Sequence, residues 1–187
     1  LTPSPIAPTV AKAVRRGWAR SMAWWKFGRK NPPTPETVAR SLFDVLVAEG
    51  VGNDLKKPEL FGLSDAWRQS SLVASIGTYR KAVLLLVLLT DAQKEPNSEM
   101  LLQAYEGLIF GPSPSDAGLA AMNEVKAAMI EMDALMRAPD PPLSWARTWL
   151  VKAGIEEENA INLTLVCTHW LSVIAAAQQS LKAIKVQ

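Results

Sequence analysis

A chain of 187 residues is long enough for one domain with a real core and no need of staples, and its single cysteine excludes an intramolecular disulfide. Hydrophobic residues at 49% and charged residues at 20% suit a protein that buries more surface than a free monomer, in oligomer contacts or a generous core. The net charge of +2 conceals a partition: residues 1–35 hold seven of the twenty bases and none of the eighteen acids, so residues 36–187 are mildly acidic.

The first predicted element is a basic, tryptophan-rich helix or arm over residues 1–35, preceding a helical body over residues 36–187. Val14, Trp18, Met22 and Trp25 fall on one side of this helix, and Lys12, Arg16 and Arg20 cover much of the other. Such a segment serves as the first helix of the bundle or as a docking element. In the second case Trp18 and Trp25 are the anchors, Trp24 and Phe27 lie beside them, and Arg16 and Arg20 pair with acids. A protein partner or a second copy of the chain fits these ingredients, and so does an anionic membrane surface. Nucleic acid is disfavoured, because the body is acidic and no reading module is present. Leu1 at the start leaves room for a processed leader, and no compartment is indicated.

Asn31-Pro32-Pro33 ends the first element. Thr34 as N-cap and Pro35 at the first helical position open a second helix, which the glycines at 50 and 52 close. Residues 53–63 read as a linker with a short turn around Pro58–Phe61. Ser64 or Asp65 then caps a long helix to Ala92, whose stripe is Leu72, Ile76, Tyr79, Val83 and Val87. From Val83 onward it is apolar all round, so neighbours should enclose it. Gly77 implies a close helix crossing.

After Pro96, a helix over Ser98–Phe110 should pack through Met100, Leu101, Ala104, Leu108 and Ile109. Gly111-Pro112 stops it. The next helix, from Ser115 or Asp116 to about Arg137, carries Met122, Val125, Met129, Met132 and Met136 at alternating spacings of three and four, a short bundle seam. A short helix over Ser144–Lys152 bears Trp145 and Trp149 and closes near Gly154. The last helix starts near Ile155 and tracks one face through Leu163, Val166, Trp170, Val173, Ala177, Leu181 and Ile184. Ala82–Leu89 and Ile161–Ala177 are apolar runs, but bracketing charges and polar residues make central helices the better reading than membrane spans. The expected fold is therefore all-α: an irregular helical bundle of about seven helices with no sheet.

No motif for a reaction, metal or cofactor emerges. His169 is the one histidine, and the residue Cys167 does not share its direction on a helix, which counts against metal ligation and a nucleophilic pair. A core-edge histidine bonded to a carbonyl or side chain is expected, and Cys167 should be a buried, inert thiol. Glu124 and Glu131 share a face but lack an accompanying histidine, and Glu156–Glu158 suits a solvated helix start. Glu49, Asp54, Glu59 and Asp65 should be surface charges around a linker. The leading function is a non-enzymatic interaction or accessory subunit. The alternative is a small-molecule or lipid-binding bundle with a pocket lined by His169, Trp170, Tyr79 and Met129.

Overall fold

The computed structural model describes residues 33–57, 61, 70–95, 98–111, 115–137, 143–155 and 160–185. All but Pro33 belong to one compact unit, Thr34–Gln187. The N-terminal arm, with Arg16, Trp18, Arg20, Trp24, Trp25 and Phe27, lies outside the described residues. Among the described residues there are six helices and no strand, an irregular all-α bundle as the pattern of one-sided apolar stripes requires.

Helix α1 covers residues 35–54 in three stretches: an α-helical Pro35–Phe43, a π-helical Asp44–Ala48 and an α-helical Glu49–Asp54. Its start follows the predicted cap, since the Thr37 amide donates to Thr34 Oγ1 at 3.3 Å and Pro35 fills the first helical position. Its end does not follow the sequence reading. The helix runs through Gly50 and Gly52 to Asp54 instead of closing at the glycines.

Helices α2 (Ser70–Ala92), α3 (Glu99–Phe110), α4 (Asp116–Arg137), α5 (Leu143–Lys152) and α6 (Ala160–Lys185) follow. Helix α2 is the hub and packs on α1, α3, α4, α5 and α6. The run Ala82–Leu88 is buried at every position, as an all-round apolar surface demands in water. Helices α2 and α6 are long and apolar enough to cross a membrane. In α2, 67% of the apolar window is buried inside the protein, which is the behaviour of a central helix.

Three local expectations are corrected. A Cβ added at Gly77 would meet nothing within 4 Å, so among the described residues no helix crosses closely there. On α3 the buried residues are Leu102 and Tyr105, while Met100 is 62% exposed. The Tyr105 hydroxyl donates to the Lys81 carbonyl at 3.1 Å, and this bond to α2 fixes which side of α3 turns inward. On α4 the inner stripe is Val125, Ala128, Met132 and Leu135, with Met122, Met129 and Met136 half-buried along its border. The seam is real but rotated from the methionines toward alanine and leucine.

Helix α5 closes as predicted. Gly154 adopts φ 75°, the Ile155 amide donates to the Leu150 carbonyl at 2.9 Å and the Gly154 amide to Val151 at 3.0 Å. Only a residue without Cβ takes that left-handed conformation at no steric cost. The turn leaves Ala153 buried beneath it.

Candidate functional site: a buried charge network under an aromatic cluster

Arg80 stands on α2 immediately before its fully apolar half and is 8% exposed. A guanidinium in such a place is tolerated only when its donors are paired. Nε and Nη2 donate to the two Asp54 carboxylate oxygens at 2.6 and 2.7 Å, a bidentate fork. Nη1 donates to the Leu46 carbonyl at 2.7 Å. Leu46 sits inside the π-helical stretch of α1, where the wider turn departs from the ordinary i to i−4 ladder.

Gly50 makes the approach feasible. A Cβ there would lie 2.2 Å from Nη1 and 2.6 Å from Cζ of Arg80. The glycine that read as a helix terminator is instead the gap through which the guanidinium reaches α1. Asp54, expected on the surface, is 2% exposed. Its position after Gly50 and Gly52 hides it from a reading based on local composition, because its partner lies 26 residues away.

His169 completes the network from α6. Its Nε2 is 3.4 Å from Asp54 Oδ2, within reach of charge but without the alignment of a hydrogen bond, and no other acceptor or donor meets that nitrogen. His169 thus sits at the edge of the core, with its Nε2 turned to Asp54 and its ring packed on Phe61 and Trp170. Burial pushes the Asp54 carboxyl up, but His169 and Arg80 beside it together outweigh burial and hold it below the usual carboxylate value.

An aromatic cluster covers these groups. His169 meets Phe61 edge-on at 4.7 Å and Trp170 at 5.3 Å. Phe61 stacks on Trp149 at 5.3 Å, and Trp149 meets Trp170 at 5.7 Å and 65°. Tyr79 touches Trp145, Trp149 and Trp170 at 6.1, 6.3 and 5.7 Å. Phe61, assigned to a linker, is wholly buried. Among the described residues the Nε1 donors of Trp145, Trp149 and Trp170 meet no hydrogen-bond acceptor and are packed among rings, whose π faces accept only weakly.

A second polar link adjoins the cluster. The Tyr79 hydroxyl donates to Glu131 Oε2, and Lys152 Nζ donates to Glu131 Oε1, so one carboxylate ties α2, α4 and α5. Burial, then the Glu131 carboxylate, push the Tyr79 phenol far above its ordinary value, keeping it a donor. Cys167 is buried and burial raises its thiol, in line with an inert role.

Of the predicted pocket residues, Tyr79, His169 and Trp170 come together in this cluster, while Met129 is half-buried on α4 and makes none of the ring contacts. Among the described residues no group of three His, Cys, Asp or Glu side chains is placed to hold a metal. Comparison of the chain with protein-family models, curated proteins and solved structures finds no match in any of the three.

Proposed function

We propose that this protein is a non-enzymatic helical interaction subunit that docks on a protein partner or its own copy through the basic, aromatic segment 1–35. The observation that carries the reading is the charge partition: seven bases and no acids in that segment, with tryptophans on its apolar side, against a mildly acidic body. The geometry of the body supports it. Trp145, Trp149 and Trp170 are buried among Phe61, Tyr79 and His169, and the charges nearest them neutralise one another instead of converging on an open space. Trp18 and Trp25 are the anchors, Trp24 and Phe27 extend the apolar contact, and Arg16 and Arg20 pair with acids on the partner.

Removing residues 1–30 tests the proposal. Association through that segment, measured by sedimentation velocity as what the full chain shows beyond the truncated chain, should be lost while helical circular dichroism and the cooperativity of thermal unfolding persist. If the truncated body unfolds, the segment is part of the core and the proposal fails. Cosedimentation with anionic and neutral vesicles separates docking on protein from docking on membrane, since the latter requires preference for anionic lipid.

A further inference from the structure

Between Asp116 and Arg137 the outward face of α4 carries a stripe of uncharged residues bordered by Lys126. With about 100° per residue, Leu119, Asn123, Ala127, Ile130 and Ala134 fall within about a quarter-turn of one another, opposite the buried stripe Val125, Ala128, Met132 and Leu135. All five are exposed, Ile130 at 67% and Leu119 at 41%. A solvent face normally carries charge at such positions.

We infer that this face is a self-complementary contact, on which α4 of a second copy lies antiparallel. The stripe is centred near the midpoint between Lys126 and Ala127, about which 119 pairs with 134 and 123 with 130. In an antiparallel pair with that centre Leu119 faces Ala134, Asn123 faces Ile130, and Asp116 faces Arg137. Leu119 therefore meets a small side chain and Ile130 an unbranched amide, which lets the helices approach closely. The charges agree as well: exposed Asp116 in the first turn meets exposed Arg137 in the last turn, twice by symmetry. Arg137 uses Nε for Asp133 at 3.0 Å on its own helix, and its other guanidinium nitrogens supply the intermolecular donors. Antiparallel alignment also opposes the two helix dipoles. Lys126 flanks the axis next to its own copy and weakens the pair. An interface of one helix on one helix belongs to the small, weak end of the size range, below about 1,200 Å². This contact is separate from the docking segment 1–35 and stands without it.

Sedimentation velocity of the full chain over rising concentration should show a monomer–dimer equilibrium. Ile130→Asp should shift it to monomer without changing the thermal unfolding curve, and Lys126→Ala should tighten it several-fold. Under mild oxidation Ala127→Cys should cross-link to its own copy, whereas Ala134→Cys should not, because position 134 faces 119. A monomer at all concentrations overturns the inference, as does a dimer indifferent to both Ile130→Asp and Lys126→Ala. Cross-linking at 134 equal to that at 127 overturns the antiparallel register. A dimer lost on removing residues 1–30 but kept in Ile130→Asp assigns self-association to the docking segment and overturns this contact alone.

Discussion

Asp54 and Arg80, on α1 and α2, hold each other through two parallel hydrogen bonds of 2.6 and 2.7 Å in the interior of the protein. The pair joins the C-terminal end of α1 to the hub helix, with His169 of α6 at its open side. Buried pairs of this kind add little over an apolar replacement but are costly to break from one side, because the survivor is left charged without a partner. Arg80→Met alone or Asp54→Leu alone should therefore destabilise the protein by about 3–5 kcal/mol, and the double variant should recover most of the loss. Urea unfolding of the three variants measures this. Additive losses would mean that the two residues act independently.

Gly50 offers a test with an unusual sign. Gly→Ala inside a helix ordinarily stabilises by about 1 kcal/mol through backbone propensity. Here the new methyl would meet the Arg80 guanidinium, which is pinned by Asp54 and the Leu46 carbonyl. Gly50→Ala should instead cost about 1–3 kcal/mol, the range for overpacking a filled core. In an Arg80→Met background the same substitution should lose that penalty. A stabilising Gly50→Ala in the natural chain would show that the guanidinium moves aside freely.

The Asp54 carboxyl predicts a pH dependence. Its pKa is lowered on folding: burial works against the charge, and His169 and Arg80 together outweigh it. A depressed carboxylate contributes stability that is fully present above its unfolded value of about 3.9 and is lost as pH falls through the folded value. Urea midpoints followed downward from pH 6 should thus drop below about pH 4. In Asp54→Asn that part of the slope should be absent. Equal slopes in the two proteins would place the acid sensitivity elsewhere.

Tyr79 and Lys152 share Glu131 but should contribute unequally. Tyr79 is buried and its hydroxyl bonds a charged acceptor, a contact worth about 1.5–3 kcal/mol. The Lys152 side chain is 46% exposed, so water screens its ion pair to at most about 1 kcal/mol. Tyr79→Phe should accordingly cost more than Lys152→Met in thermal unfolding. The reverse order would mean that the ammonium, not the phenol, anchors the carboxylate.

Much of the fold was legible because it depends on local, periodic features. Thr34-Pro35, the positive-φ Gly154 and the continuous apolar run at Ala82–Leu88 each announce an element or its end through backbone geometry or hydration alone. The candidate site was less so. Tyr79, Trp145, Trp149 and Trp170 lie on readable stripes, but Phe61 and Asp54 look like linker residues. Nothing near Asp54 signals that an arginine 26 positions later will be brought to it. Gly50 misled for the same reason: a glycine needed for a side chain from another helix resembles one that ends its own helix.

Composition and periodicity alone determined an all-helical fold, a basic aromatic segment ahead of an acidic body, and a helix whose stretch from Val83 onward has no side left for water. Each follows from what one helix does in solution: it hides its greasy side and ends where the backbone cannot continue. Only the tertiary structure decided which charges enter the interior, because an ion is stable there only when a partner from another helix arrives at hydrogen-bond distance. The same holds for the bare outer side of α4, since exposure is a property of the assembled bundle and not of any one segment.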